Sequence, residues 1–74
     1  MLEKPKFSGI IETACGNGLF KVNVFFSEND HDIILCSLSG KMRTKNIKVV
    51  AGDRVEVELD PFEMKKGRII FRNR

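Results

Sequence analysis

The chain of 74 residues has few of the residues on which several common functional classes depend: it has no tryptophan, no tyrosine, one histidine and two cysteines. Small secreted proteins of this length usually rely on several disulfides. Cys15 and Cys36 are therefore expected to be reduced and to act as small buried hydrophobic residues. Neither a C-x-x-C spacing nor a positively charged thiol environment indicates redox chemistry.

Long apolar runs are absent as well. The longest clear run is Ile33–Cys36, whereas a membrane-spanning helix needs roughly 20 residues. Residues 1–9 contain Glu3, Lys4 and Lys6 and no apolar stretch, so they resemble neither a secretory signal nor a transit peptide. We therefore expect a cytoplasmic protein that does not associate with membranes.

Catalytic and metal-binding patterns are lacking. The only histidine, His31, lies in the polar run 28–32, which favours an exposed turn, and no nucleophile is positioned beside it. Asp30, His31 and Asp32 lack the ligand spacing of a closed metal site. The chain also has no glycine-rich phosphate loop. The sequence predicts no enzymatic activity, no cofactor and no metal.

The composition is that of a globular protein. Because 42% of the residues are hydrophobic, we expect one domain over residues 1–74, with residues 1–5 flexible. Period-two alternation of apolar and polar residues predicts half-buried strands. In the last strand, Ile69 and Phe71 are expected to point inward and Arg68, Ile70 and Arg72 outward. The predicted strands are Phe7–Ala14, Phe20–Phe26, Ile33–Leu38, Arg54–Leu59 and Arg68–Arg72.

Turn and cap residues separate these strands. Gly16-Asn17-Gly18 and Ala51-Gly52-Asp53 favour turns before the second and fourth strands, and Asp60-Pro61 ends the fourth. Ser39 is expected to cap a short helical turn. This order predicts an all-β protein: a five-stranded Greek-key OB-fold barrel with a short helical turn between strands 3 and 4.

Charge is distributed in blocks, and the net charge is +3. Residues 41–48 and 65–74 carry basic residues and no acidic ones, whereas residues 27–32 and 53–63 are predominantly acidic. A basic side and an acidic side are therefore expected. A concentrated basic face attracts RNA or DNA because neutralised phosphates release counterions. Charge alone equally fits a solvated basic surface with no partner.

The scarcity of aromatic residues bears on the kind of nucleic-acid contact. Single-stranded RNA binders stack bases on aromatic rings, but Phe20 and Phe71 are expected in the core, which leaves Phe25 and Phe62 for the surface. We therefore expect contacts with phosphate and folded RNA shape. Arginine engages phosphate through two hydrogen bonds and lysine adds charge. The candidates are Arg43, Arg68, Arg72, Arg74, Lys41, Lys45, Lys48 and Lys66.

A family resemblance is carried by Ser39–Arg43, Asn46–Lys48, Ala51–Val55, Glu58–Leu59 and Lys66–Arg74, together with Gly9, Glu12, Asn17 and Phe20–Val22. Its most specific parts are the Gly-Lys-Met-Arg and Lys-Gly-Arg-Ile-Ile-Phe-Arg pieces. On these residues the chain resembles bacterial translation initiation factor one over nearly its whole length.

The resemblance implies a monomeric, non-enzymatic factor that binds the small ribosomal subunit at the decoding A site, through ribosomal RNA and a neighbouring ribosomal protein. It would block premature tRNA entry and cooperate with initiation factors two and three. By motif matching, Lys41 and Arg43 belong to a helical-loop contact, Lys48 to its flank and Lys21 to a basic position of the second strand. The matches on the basic end strand are Lys66, Arg68, Arg72 and Arg74.

The longest departure from the family is one connecting segment, and two other functions stay open. The connection Phe25–Asp32 is several residues longer than the family's usual turn. If the second and third strands extend into it, an acidic, partly aromatic hairpin projects beside the RNA-binding face. The first alternative is a general RNA chaperone or cold-shock-like single-stranded RNA-binding module, which the few surface aromatics disfavour. The second is a protein-interaction adaptor that uses this hairpin and an apolar strand face around Ile33 and Leu35.

Overall fold

The structure, a computed structural model, describes residues 6–63 and 65–73. Arg74 and residues 1–5, for which the sequence predicts flexibility, lie outside the described residues. No helix within the described ranges is long and apolar enough to cross a membrane. The elements are β1 (Lys6–Gly16), β2 (Leu19–Ser27), β3 (Asp30–Leu38), α1 (Gly40–Thr44), β4 (Arg54–Leu59) and β5 (Lys66–Asn73).

The five strands close into a barrel in the order β1-β2-β3-β5-β4. β1 pairs with both β2 and β4, and the β3–β5 pairing is parallel whereas the other pairings are antiparallel. Closure pairs both edges of most of the sheet, which helps so short a chain to satisfy its backbone hydrogen bonds. The predicted all-β OB-fold with one short helix between the third and fourth strands is confirmed.

The core follows from the alternation in the sequence. Successive side chains of a strand point to opposite faces, so every second residue turns into the barrel. Outside the strands, Met42 of the helix and Val49 of the segment after it belong to the same core cluster. The buried apolar residues are Ile11, Val22, Val24, Ile34, Cys36, Met42, Val49, Val55, Val57 and Ile69.

Turn chemistry agrees with the sequence at both predicted glycine turns. Gly16, Asn17 and Gly18 have φ values of 82°, 55° and 74°, and Gly52 has φ 93°. These left-handed values are accessible to glycine and asparagine at low cost, which explains why those residues stand there. The N-cap prediction is also confirmed, because the Ser39 hydroxyl accepts a hydrogen bond from the Met42 N–H at 3.2 Å.

The connection after β2 differs from the expected polar turn over residues 27–32. Pairing continues through Val24↔Asp32 and Phe25↔His31 to Ser27↔Asp30, so only Glu28 and Asn29 form the turn. His31 is therefore a strand residue, although it is exposed as expected. The second and third strands do extend, and the acidic hairpin anticipated from the sequence is formed.

The predicted inward position of Phe71 is wrong. Val57 pairs with Ile69, but Glu56 pairs with Phe71, so Ile70 is the extra residue of a bulge. An extra residue reverses which side chains face the core beyond it. Phe71 is consequently 54% exposed, while Ile69 before the bulge is buried as expected.

Candidate nucleic-acid interface

Basic side chains share the outward face of three neighbouring strands. Lys21 on β2 pairs with Leu35 on β3, and Leu35 pairs with Lys66 on β5. In the next row Ser37 pairs with Arg68. Lys21, Lys66 and Arg68 are exposed, because each alternates with an inward-facing residue of its strand. The sheet thus presents three cations on one outer face around Leu35 and Ser37.

Helix α1 adds a second group of cations. Met42 is buried against the barrel and therefore fixes which face of the single helical turn points outward, leaving Lys41, Arg43 and the C-cap residue Lys45 exposed. A helix of five residues is unstable alone, so its orientation depends on Met42 and on the Ser39 cap.

The two groups lie on the same side of the barrel. The Arg43 Nη2 lies 4.0 Å from the position that a Cβ on Gly18 would occupy. The next residue, Leu19, pairs with Ser37, which pairs with Arg68. Since neighbouring strands are separated by about 4.8 Å, the Cα atoms of Leu19 and Arg68 are about 10 Å apart. Leu19 and Ser37, not carboxylates, stand between the groups.

Arg72 does not join the outward row that the alternation had predicted for it. Beyond the Ile70 bulge it pairs with Val55, whose side chain is fully buried, so Arg72 starts on the inner face and is half-buried. Its Nη1 donates a hydrogen bond to the Lys48 carbonyl at 2.5 Å. Arg72 therefore fastens the segment after α1 to β5. The Lys48 side chain is exposed beside this contact.

We call the exposed candidates on these strands and on the α1 segment the basic surface. Arg72 contributes to it through the Lys48 backbone, and Arg74 lies outside the described residues. The members of the basic surface are Lys21, Lys41, Arg43, Lys45, Lys48, Lys66 and Arg68.

A cavity of about 400 Å³ opens beside Arg43. Its apolar walls include Phe20 and Leu38, and Arg43, Asn46 and Lys48 contribute polar groups. Phe20 packs against the core, as the sequence predicted, but its ring is only half-buried because this cavity exposes it. An apolar hollow with a few polar groups has the composition of a ligand-binding pocket.

Acidic residues border the basic surface. Lys66 Nζ lies 3.2 Å from Glu63 Oε2, and Arg68 pairs across the strands with Glu58. Lys65, which is not part of the basic surface, forms an ion pair with Asp32. The Lys65 ammonium also donates a hydrogen bond to the Asp32 carboxylate, and this bond holds the pKa of Asp32 below its ordinary value. The Lys66–Glu63 pair is exposed, so it is worth little and leaves Lys66 able to exchange partners.

The cysteines and the histidine have structural surroundings. Both cysteines are free; Cys36 is buried, and burial raises the pKa of its thiol to about 12. Cys15 is exposed, so the expectation of burial is wrong for it. His31 Nδ1 is hydrogen-bonded to Asn23 Oδ1 at 3.0 Å, and its ring lies 5.6 Å from that of Phe25. Among the described residues, no group of three His, Cys, Asp or Glu side chains is placed to hold a metal ion.

Sequence reasoning missed the residues between the cations. Leu19, Leu35 and Ser37 are half-buried on the outward face, where they separate Lys21, Lys66 and Arg68. Alternation in the third strand puts Leu35 and Ser37 on one face, whereas Leu19 precedes the predicted second strand, and only the register between strands shows which cation lies beside which neutral residue. Of the two aromatics expected at the surface, Phe62 is 92% exposed, whereas Phe25 is half-buried.

Comparison with known families decides what this barrel is. The model of the family described as translation initiation factor 1A / IF-1 matches residues 2–74. The chain belongs to this family. The resemblance found in the sequence is thereby confirmed, and the barrel is that of a translation initiation factor family.

Solved structures share this fold, and one of them is an initiation factor one. The solution structure of translation initiation factor one from the Wolbachia endosymbiont strain TRS of Brugia malayi is 32% identical, with a TM-score of 0.73; the match covers 95% of this chain and 78% of that one. YjeQ from Thermotoga maritima is 33% identical, with a TM-score of 0.73 over 95% of this chain. The match spans only 23% of YjeQ. YloQ, a circularly permuted GTPase, is 23% identical over 95% of this chain and 23% of its own, with a TM-score of 0.75, and shows the shared fold.

Proposed function

We propose that this initiation factor binds the small ribosomal subunit at the decoding A site, with the basic surface against ribosomal RNA. The observation that carries the proposal is the placement of Arg43 and Arg68 on one side of the barrel with only Leu19 and Ser37 between them. Seven exposed cations from β2, β5 and the α1 segment then face the same polyanion. Folded RNA offers closely spaced phosphates, so such a cluster neutralises several at once.

Occupation of the A site by the factor is by itself enough to block tRNA entry. The barrel measures 29 × 29 × 23 Å, so a molecule bound in the A site excludes tRNA by volume. No bond is made or broken, and the proposal includes no cofactor and no metal. We further propose that the factor is a cytoplasmic monomer. It would touch a neighbouring ribosomal protein and would act together with initiation factors two and three.

Chemical footprinting on purified small subunits tests the site. We expect the wild-type protein to protect A-site ribosomal RNA and to reduce tRNA binding there. Arg43→Ala and Arg68→Ala should each weaken the protection about threefold to tenfold, because each removes a charge-assisted contact. Arg54→Ala is the matched control, since Arg54 is an exposed arginine on β4 outside the basic surface. Protection at another site, or none, would refute A-site binding.

A comparison of two affinities distinguishes the initiation factor from the alternative, a general RNA chaperone. Such a protein binds arbitrary single strands as tightly as it binds the subunit, because stacking on aromatic rings tolerates any sequence. The basic surface consists of lysine and arginine, and Phe20, the aromatic residue that lines the cavity beside Arg43, has a half-buried ring. We therefore expect affinity for the subunit to exceed affinity for an unstructured RNA of arbitrary sequence by a wide margin.

A further inference from the structure

The extended β2–β3 hairpin creates a groove of about 550 Å³ that the basic surface does not use. β3 pairs with β5 only from Leu35 onward, so the earlier part of β3, from Asp30, has no β5 neighbour. On this part of the hairpin Phe26 packs against the core, and the hairpin and the end of β4 together line the groove. We call the space between them the hairpin groove.

The apolar part of the hairpin groove is held in place. It is lined by Phe26 on the hairpin and by Leu59 and Pro61 at the end of β4. The rings of Phe26 and Phe7 meet edge to face, with centroids 5.1 Å apart, and Leu59 packs against the core. These contacts support an open apolar surface, which costs free energy as long as it faces water.

The polar lining of the hairpin groove is predominantly acidic. It consists of Asp30, Asp32 and Asp60 together with one histidine, His31. Asp32 is paired with Lys65, but Asp30 and Asp60 form no ion pair among the described residues. The Asp60 Oδ1 accepts hydrogen bonds from the N–H groups of Phe62 and Glu63, at 2.8 and 3.2 Å, which fix the carboxylate at the rim. Two carboxylates that form no ion pair among the described residues thus line a groove with an apolar floor.

This combination selects one class of occupant. Phosphates are repelled by carboxylates, so the hairpin groove does not suit RNA. A small inorganic cation would leave the apolar floor uncovered. A peptide with cationic and apolar side chains complements both the acidic rim and the apolar floor, because its cations pair with the carboxylates and its apolar group covers the floor. We propose that the hairpin groove docks a lysine- or arginine-rich segment of a partner protein, with an apolar side chain against Phe26.

The docking does not depend on RNA binding at the A site, and it is tested with synthetic peptides. The probe is a short peptide of alternating lysine and leucine. One comparison peptide replaces leucine by serine, and the other replaces lysine by glutamate. Backbone amide shifts of the isotope-labelled protein report the site. We expect the lysine–leucine peptide to shift the amides of Phe26, Asp30–Asp32 and Leu59–Asp60, and the two comparison peptides to leave them unchanged.

Variants with neutral side chains distinguish binding to the carboxylates of the hairpin groove from attraction to the overall charge of the protein. Asp30→Asn with Asp60→Asn keeps the side-chain oxygen that accepts from Phe62 and Glu63, and should weaken peptide binding about fivefold to tenfold. Glu12→Gln removes an exposed carboxylate of β1 outside the hairpin groove and should have no effect. The proposal is overturned by shifts confined to other surfaces, by no shift at about millimolar peptide, by equal binding of the glutamate–leucine peptide, or by a single-stranded RNA that shifts the same amides.

Discussion

Gly9 and Gly40 differ in the room they leave for a side chain. A Cβ on Gly9 would lie 2.7 Å from Val22 Cγ1 and 3.1 Å from the Asn23 carbonyl oxygen, whereas a Cβ on Gly40 would have nothing within 4 Å. We expect Gly9→Ala to lower the free energy of unfolding by about 1–3 kcal/mol, because β1 must move away from β2. Urea unfolding measures the change.

The same substitution at Gly40 is the control for Gly9. Gly40→Ala should leave stability unchanged or raise it by up to about 1 kcal/mol, because alanine restricts the unfolded chain. Equal losses at the two glycines would show that the close approach of β1 to β2 is not what requires glycine at residue 9.

The two thiols should respond differently to alkylating reagents and to pH. Cys15 is exposed and should react in the native protein, whereas Cys36 is buried and should react only on unfolding. An unfolded Cys36 thiol ionises near 9.0, but the pKa of the folded thiol is raised to about 12 by burial. The stabilising contribution is therefore complete below pH 9 and declines as pH rises toward 12, by at most about 1.4 kcal/mol per pH unit.

Cys36→Val isolates this contribution, because valine keeps an apolar side chain and removes the ionisable group. Unfolding measured from pH 8 to pH 11 should show a smaller decline for the variant than for the wild-type protein. Identical declines would mean that other groups, such as lysines, account for the alkaline loss of stability.

At the scale of single residues, alternation in the sequence predicted side-chain orientation correctly before the bulge in β5 and incorrectly after it. Alternation correctly buried Ile69 and exposed Arg68, and it misplaced Phe71 and Arg72. A bulge depends on how the strand fits its partner, and the pattern of β5 alone carries no signal for it. The paired register shows that Arg72 starts on the inner face, where its guanidinium binds the Lys48 carbonyl.

At the scale of elements, α1 depends on its cap. The Ser39 hydroxyl is buried and satisfies the Met42 N–H, which a short helix leaves without a partner. Ser39→Ala should cost about 1 kcal/mol of unfolding free energy and should weaken RNA binding, because Lys41 and Arg43 lose their fixed orientation. Denaturant unfolding and subunit binding measure the two effects.

Ser8→Ala is the matched control for the cap, since Ser8 is an exposed serine of β1 and should change stability by less than about 0.5 kcal/mol. A Ser39→Ala protein with unchanged stability and unchanged RNA affinity would argue that Met42 alone orients the helix.

The β2–β3 hairpin shows a second limit of prediction at this scale. Polar residues from Ser27 to Asp32 are typical of a loop, yet Asp30, His31 and Asp32 continue the strand. Cross-strand partners favour the strand over a loop here: Phe25 pairs with His31, and the two rings are in contact. Cross-strand contacts of this kind stabilise a strand that propensity disfavours.

At the scale of the whole molecule, five strands, two glycine turns and the helix position could be read from the sequence, because alternation and turn residues are local signals. The sequence does not show which cations lie close together, because this depends on the parallel β3–β5 pairing that brings Arg68 beside Ser37. Charge blocks predicted a basic side, and the barrel assembles it from Lys21, Arg43 and Arg68 of separate segments. The family motifs supplied the function that charge alone left open.

The central claim is that the basic surface neutralises ribosomal phosphates as a unit, and the salt dependence of binding to small subunits tests it most directly. With roughly four phosphates neutralised, the log–log slope of affinity against salt should be about −3 to −4. Arg43→Ala combined with Arg68→Ala should reduce its magnitude by about 1.5 to 2, while Arg54→Ala should leave it unchanged. A flat salt response, or an equal reduction by Arg54→Ala, would contradict the account.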